Sequence, residues 1–94
     1  MNEVQLTDKA WQERYSITSI KGKVWTRTEL LNRAVRIAAM LLPEQPRSVI
    51  RTAVHLVLDD PEFMRRHAGM VPARVIEDSA MEAFLRIRRR ETKP

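Results

Sequence analysis

The sequence predicts an all-α protein, a small bundle of four to five helices with an irregular or short β-hairpin segment near residues 16–26. Three observations favour this class. The chain has 94 residues, of which 44% are hydrophobic, so it can build one core and is too short for two. Apolar residues recur at helical spacing in its central and C-terminal parts. Capping residues and prolines stand where those stretches begin or end. We therefore expect residues 1–94 to form a single helical domain with a basic C-terminal end at residues 86–94.

The N-terminal part of the chain has the weakest pattern. Thr7-Asp8 suits the start of a short first helix. From Tyr15 to Thr26 the chain is rich in Ile, Thr, Val and Trp, which favour strands, and Lys21-Gly22-Lys23 suits a turn between two of them. Strict alternation fails because Ile17 and Ile20 are three residues apart. A small hairpin and a structured loop both remain open for this segment.

The next helix has the clearest start. Thr26 and Glu29 have the spacing of a capping box, with Thr26 at the N-cap and Glu29 at N3. The helix is expected to run to Leu42 and to end before Pro43. The apolar arc expected to face the core consists of Leu30, Leu31, Ala34, Val35, Ile37, Ala38, Leu41 and Leu42. The opposite arc is polar, and Met40 falls inside it.

A proline-rich connector, Pro43-Glu44-Gln45-Pro46, leads into an amphipathic segment over residues 47–58, with Pro46 suited to its first turn. The residues expected to face inward are Val49, Ile50, Ala53, Val54, Leu56 and Val57. Those expected to face outward are Ser48, Arg51, Thr52 and His55. Because the connector is short, we expect this helix to pack antiparallel to the preceding one.

Two further helices complete the prediction. Asp60-Pro61-Glu62 combines a cap, a proline at the first helical position and an acid in the first turn, and this short helix should stop near Gly69. Pro72 opens the last helix. Its core stripe is predicted to be Ile76, Ala80, Ala83, Phe84 and Ile87. Acids stand in the first half of this helix and arginines at its C-terminal end, which is the order that the helix dipole favours.

Charge is uneven along the chain. Seventeen Lys and Arg residues stand against twelve Asp and Glu residues, a formal net charge of +5. Residues 14–58 hold eight basic residues against two acids, whereas residues 59–85 hold three against six. Residues 86–94 are again basic. These blocks predict a dipolar surface rather than an evenly basic one.

The basic segments are the main functional signal. Arginine suits phosphate because its planar guanidinium makes two parallel hydrogen bonds. Trp25 lies among these residues, where it suits either stacking on an unpaired base or a place in the core. The candidate nucleic-acid contacts are Lys21, Lys23, Trp25, Arg27, Arg33, Arg36, Arg47, Arg51, Arg86, Arg88, Arg89 and Arg90. We therefore expect a small basic regulatory protein that binds DNA or RNA through its phosphates.

The same residues also have interpretations that involve no nucleic acid. The basic residues would equally form an ordinary solvent-exposed face, with Arg33 paired to Glu29 one turn back. The arginines over residues 86–90 suit a helix C-terminus as well as they suit a polyanion-binding arm. Residues 43–46 resemble the turn of a helix-turn-helix only weakly, since the connector has two prolines and no glycine.

Three apolar residues on otherwise polar arcs suggest a different function. Met40, Met81 and Leu85 are the candidate partner-binding residues, because neighbouring exposed apolar side chains form patches that bind a partner or a second copy. The alternative function is therefore a non-catalytic protein–protein interaction module. Such a module would be an adaptor, an antitoxin-like protein or an inhibitor encoded by a phage or mobile element, and a homodimer also fits. A basic face suits an acidic protein partner as well.

The sequence lacks the residues that disulfide, metal and catalytic sites require. The chain has no cysteine, which excludes a disulfide scaffold and a thiolate zinc site. Neither His55 nor His67 has a second His or Cys one helical turn away. The acids Glu77, Asp78 and Glu82 have no neighbouring base or nucleophile in the sequence and are explained by the helix dipole. We expect no catalytic residues, no metal and no cofactor, and hence no enzyme.

No apolar run approaches the roughly 18 residues that a membrane-spanning helix requires. The first residues carry Glu3 and Asp8 and lack an apolar segment, so they do not resemble a secretory signal. We expect a cytoplasmic protein that has no membrane partner.

Overall fold

The computed structural model describes residues 8–15, 17–67 and 69–91, and these form five α-helices and one two-stranded hairpin. In chain order the elements are α1 (Asp8–Arg14), β1 (Ile17–Thr18), β2 (Val24–Trp25), α2 (Arg27–Leu41), α3 (Arg47–Leu58), α4 (Pro61–His67) and α5 (Pro72–Glu91). The predicted all-α class is confirmed. Thr7 of the predicted first cap, and residues 92–94 of the basic C-terminal end, lie outside the described residues.

The core forms where α2, α3 and α5 pack on one another. Their buried faces follow the predicted helical spacing in most positions, although Leu41, assigned to the core arc of α2, is 41% exposed. The side chains that fill the contact include Leu30, Ala34, Ala38, Ile50, Val54, Val57, Ala80, Ala83 and Ile87. Burying one of the larger aliphatic side chains contributes about 1.5–3 kcal/mol. Phe63 and Met64 of α4 extend this core at one end.

Trp11 attaches α1 to the bundle. Its side chain is fully buried, and its indole Nε1–H donates a hydrogen bond of 2.8 Å to the carbonyl oxygen of Leu58 at the end of α3. Tyr15 packs edge-on against the same indole ring. A short helix is marginal by itself, so this contact is what fixes α1 in place.

Residues 17–25 form a hairpin, which decides between the two alternatives left open by the sequence. β1 and β2 are antiparallel, with Ile17 opposite Trp25. Gly22 has a φ of +91°, a conformation that side chains disfavour and that the turn requires. Gln12 of α1 ties the hairpin to the next helix, since its side chain donates to the carbonyl of Trp25 and accepts from the N–H of Arg27.

α2 begins with the predicted capping box. The N–H of Glu29 donates to Thr26 Oγ1 over 3.1 Å, and the N–H of Thr26 donates to Glu29 Oε1 over 3.0 Å. The hydrogen bond from the Thr26 N–H, together with Lys23, lowers the pKa of Glu29 because both favour its charged form. The helix ends at Leu41 with Leu42 as its C-cap, one residue earlier than predicted.

α2 and α3 form the expected antiparallel pair, with a small difference at the start of α3. Arg27, the first residue of α2, contacts Asp59, the C-cap of α3. Pro46 is the N-cap of α3 with a ψ of 144° rather than a residue of its first turn. Its extended backbone leads the connector into the helix, and no side chain caps that end.

The predicted inward face of α3 is partly wrong. Val49 and Leu56 are 40% and 54% exposed, although the apolar pattern assigned them to the core. The stripe Ile50, Val54 and Val57 already fills the contact of α3 with its neighbours. Val49 and Leu56 lie on the flank of the helix beside that contact, where they line an open groove next to α5, so they remain exposed.

The two remaining helix boundaries agree with the sequence. Asp60 Oδ1 accepts a hydrogen bond from the N–H of Glu62, which caps α4. Gly69 follows α4 with a φ of +83°, and α5 begins at Pro72. Of the helices in the described ranges, none is both long enough and apolar enough to cross a lipid bilayer.

Candidate functional site

Trp25 brings cations of the hairpin and of α2 together. Lys23 Nζ lies 4.5 Å from the centroid of its ring, and the guanidinium carbon of Arg33 lies 5.4 Å from it. The ring is half-buried and also packs against the core. Each such cation–π contact is worth about 0.5–1 kcal/mol at an exposed site. Trp25 is therefore contacted by two cations, and its side chain lies partly in the core and partly at the surface.

A second contact joins α2 to α3 on the same outward face. Arg51 donates a hydrogen bond of 3.2 Å to Asn32 Oδ1. Arg36 is one helical turn from both Asn32 and Arg33, so it lies between them on the surface of α2. Arg47 lies one turn before Arg51 along α3 and is exposed. We call this set the cationic surface: Lys23, Arg33, Arg36, Arg47 and Arg51.

Few carboxylates reach the cationic surface. Glu29, the one acid within α2, is bound by Lys23 at 3.1 Å and by the capping box. The predicted pair of Arg33 with Glu29 is therefore not formed, because Lys23 occupies that carboxylate. Among the described residues, no carboxylate lies within ion-pair distance of the four arginines of the cationic surface. Lys21 is exposed at the hairpin turn nearby.

Arg27 does not belong to this surface, which corrects its place among the predicted nucleic-acid contacts. Its side chain is buried, with 6% of the residue exposed. Its guanidinium donates from Nε and Nη2 to Asp59 Oδ1 over 3.2 and 2.9 Å. A buried charge requires such partners because desolvation penalises an unpaired one. The cation therefore stabilises the junction of α2 with α3.

His55 completes the environment of Arg27. Arg27 Nη2 lies 2.9 Å from His55 Nδ1. Because a guanidinium can only donate, Nδ1 must be the unprotonated nitrogen of that ring. His55 is thus half-buried and engaged with Arg27, rather than outward on a polar face as predicted. The signal that could have revealed this cluster is the antiparallel pairing, which brings residue 27 beside residues 55 and 59.

The arginines of the C-terminal segment have carboxylates of their own. Arg86 is half-buried and binds Asp60 at 2.7 Å and Glu82 at 3.0 Å. Burial acts to raise the pKa of Asp60, but hydrogen bonds from Arg86 and from backbone N–H groups outweigh it and lower that pKa. Arg86 therefore bridges α5 to the start of α4.

The next two arginines are also compensated. Arg88 binds Glu44 at 3.1 Å and Glu91 at 2.8 Å, and Arg89 lies 3.7 Å from Glu82. Arg90 is exposed and has no such carboxylate among the described residues. The segment predicted as a polyanion-binding arm thus offers one uncompensated arginine instead of four.

The three candidate partner-binding residues lie on two helix faces. Met40 is exposed on α2, one turn beyond Arg36 and next to the cationic surface. Met81 and Leu85 are exposed one turn apart on the outward face of α5. They share a face with each other, and Met40 belongs to a different helix.

His67 has a structural environment that the sequence did not predict. It is buried and stacks on the ring of Phe63, whose carbonyl oxygen lies 2.7 Å from its Nδ1. Its Nε2 lies 2.8 Å from Asp78 Oδ2, and Arg74 binds the same carboxylate at 3.3 Å. Within the described ranges, no three His, Asp or Glu side chains converge as metal ligands.

The described residues therefore bring together one surface of uncompensated cations around Trp25, Arg33 and Arg51. Comparison of the chain with protein-family models, with curated proteins and with solved structures finds no match.

Proposed function

We propose that this chain is a nucleic-acid-binding regulatory protein that contacts backbone phosphates through the cationic surface. The observation that carries the proposal is the convergence of Arg33, Arg36, Arg47 and Arg51 on one face, with no carboxylate partners among the described residues. A cation without a nearby anion keeps its full attraction for a phosphate. Each phosphate that it neutralises releases counterions, which favours binding at low salt.

The distribution of charge supports binding through this face. The acids over residues 59–85 that form ion pairs, Asp59, Asp60, Glu62, Asp78 and Glu82, are bound by basic residues outside the cationic surface. An approaching polyanion is therefore attracted mainly to the face formed by β2, α2 and α3. Lys23 and Arg33 both contact the ring of Trp25, and of the two it is Arg33 that has no carboxylate partner among the described residues.

An acidic protein is the competing ligand for the same face. Arginine, methionine and aromatic side chains are enriched in protein–protein interfaces, but there they surround a desolvated apolar core. On the cationic surface the arginines face solvent, and a single large apolar side chain, Met40, is exposed among them. This composition favours nucleic acid over an acidic protein, and a binding role over catalysis.

The proposal is tested by fluorescence anisotropy. The labelled probes are duplex DNA, single-stranded DNA and single-stranded RNA, each of mixed sequence, and we expect at least one of these probes to bind at low salt. With four phosphate contacts on a duplex, one for each arginine of the cationic surface, affinity should fall roughly 10²-fold between 50 and 200 mM salt. No anisotropy change with any of the three at low salt would contradict the proposal. So would binding that does not weaken as salt is added.

A further inference from the structure

A second surface of the molecule is apolar and lies between α3 and α5. It is a groove of about 340 Å³ whose walls include Val49, Ala53, Leu56 and Ile87. Arg90 stands at its rim, exposed and without a carboxylate partner among the described residues. The groove is distinct from the cationic surface, because Arg51 reaches α2 across the other flank of α3.

The spacing of the groove residues on α3 suits a helix as the occupant. Val49, Ala53 and Leu56 stand at positions i, i+4 and i+7, the spacing of one helix face that packs against another. Ile50, Val54 and Val57 form a second, buried stripe on the same helix. α3 therefore carries two apolar faces, of which the described part of the chain covers one.

The outward face of α5 has the complementary composition. Met81 and Leu85 are 45% and 44% exposed and one turn apart. Glu77 precedes Met81 by one turn, is exposed, and has no cationic partner among the described residues. The arginines that flank this face, Arg74 and Arg88, both bind carboxylates. The uncompensated charge of this face is therefore the acid Glu77, and the uncompensated charge at the rim of the groove is the cation Arg90.

We propose that a second copy of this chain lays the Glu77–Met81–Leu85 face of its α5 into the groove between α3 and α5. The contact would bury Leu56 and Val49 of one copy against Met81 and Leu85 of the other. It would also place Glu77 within reach of Arg90 at the rim of the groove. Removal of these side chains from water supplies the driving force, and the opposite charges favour this partner over others.

The geometry makes the contact a head-to-tail one. On α5 the groove residue Ile87 is buried toward the core, and Leu85 faces outward. One copy therefore offers a groove and a stripe on different sides of the molecule. An interface between two different patches propagates into a ring or an open chain, whereas a two-fold dimer uses the same patch twice.

Two single substitutions separate the halves of this contact. Leu56→Glu places an acid in the groove and leaves the stripe intact. Leu85→Lys places a cation in the stripe and leaves the groove intact. Both positions are exposed in the monomer and helical, so circular dichroism should report unchanged helix content. Met40→Glu changes an exposed apolar residue of α2 and is the matched control.

Sedimentation velocity without nucleic acid is the measurement. We expect the wild-type chain and Met40→Glu to increase in mass with concentration beyond a dimer, and each of the two variants alone to stay monomeric. An equimolar mixture of Leu56→Glu with Leu85→Lys should form a 1:1 dimer and no larger species, because one intact groove meets one intact stripe.

Three results would overturn the proposal: a monomeric wild type up to about millimolar concentration, variants that associate like the wild type, or a mixture that remains monomeric. If either variant loses helix content, Leu56→Gln and Leu85→Gln replace the pair and the same outcomes decide. The result is independent of the proposed nucleic-acid binding, which is absent from this assay.

Discussion

Arg27 is a cation held where α1, the hairpin, α2 and α3 meet. Its backbone N–H donates to Gln12, and its side chain binds Asp59 and lies against His55. Each partner offsets part of the cost of removing the guanidinium from water. The role of this residue is to fix the register of the helices, and the exposed arginines nearby remain the candidates for phosphate contact.

Arg27→Met is expected to destabilise the protein by about 3 kcal/mol, because it leaves the half-buried Asp59 without its cation. Arg33→Met is the matched control on the same helix, since Arg33 is exposed, and it should cost less than about 1 kcal/mol. Urea unfolding followed by circular dichroism measures both. Equal losses for the two variants would show that Arg27 is not the buried structural cation described above.

Asp60 supplies a pH-dependent contribution. Its pKa is lowered in the folded chain, so its carboxylate contributes fully above the unfolded value near 3.8, and the contribution is lost as pH falls through the folded value. Asp60→Asn keeps an N-cap acceptor and removes the charge that binds Arg86. The variant should be less stable by about 1 kcal/mol at neutral pH. Unfolding at about pH 3 should show a smaller difference. A difference that does not change with pH would contradict this role.

Arg27 was predicted at the surface because its partners are far away in the sequence. A basic residue between Trp25 and an exposed helix face has the local pattern of a surface residue. Its partners are 28 and 32 positions away. The same holds for Arg86 and Arg88, whose partners Asp60 and Glu44 lie in other elements. Local pattern reports which residues are charged, and the packing of the elements decides which charges are compensated.

Among the helices, α2 was the best predicted, because its signals are local. The capping box uses residues three apart, and the apolar arc repeats along one helix. The sequence does not distinguish a hairpin from a loop at residues 17–25, because each strand has two residues, too few for an alternating pattern to be recognised.

α3 shows the limit of reasoning from periodicity. The pattern identifies its apolar residues, but only the neighbouring helices determine which of them are covered. Ile50 and Val54 are buried in the core of the bundle, whereas Val49 and Leu56 are exposed in the groove beside α5. An apolar residue on an amphipathic helix is therefore a candidate for the core or for an interface, and the groove between α3 and α5 arises from this ambiguity.

The cap of α2 is testable by one substitution. Thr26→Ala removes the side-chain acceptor for the Glu29 N–H and should cost about 1 kcal/mol. Thr52→Ala, at an exposed position inside α3, is the control and should not destabilise the protein, because alanine favours a helix interior. Thermal unfolding compares the two variants. If Thr26→Ala is as stable as the control, the capping box contributes little to the fold.

At the scale of the whole molecule, charge is arranged in a compensated and an uncompensated part. Four arginines of α5 bind acids of α5 itself, of the connector before α3 or of the cap of α4, namely Arg74, Arg86, Arg88 and Arg89. The arginines of the cationic surface on α2 and α3 are exposed. The pairing of α2 with α3, which brings Arg51 to Asn32, was expected from their short connector. The compensation of the C-terminal segment was not, since it depends on tertiary contacts.

Two triple variants with equal net charge distinguish binding through the cationic surface from binding that depends on net charge alone. One replaces Arg33, Arg36 and Arg51 with Ala, and its matched control replaces Arg65, Arg66 and Arg74, which are exposed on α4 and α5. The measurement is the slope of log affinity against log salt for duplex DNA. We predict that the slope falls by roughly 2.7 in the first variant, about 0.9 for each lost phosphate contact, and stays near the wild-type value in the control. Equal losses in both variants would contradict the account, because binding would then follow net charge and not the surface that the fold assembles.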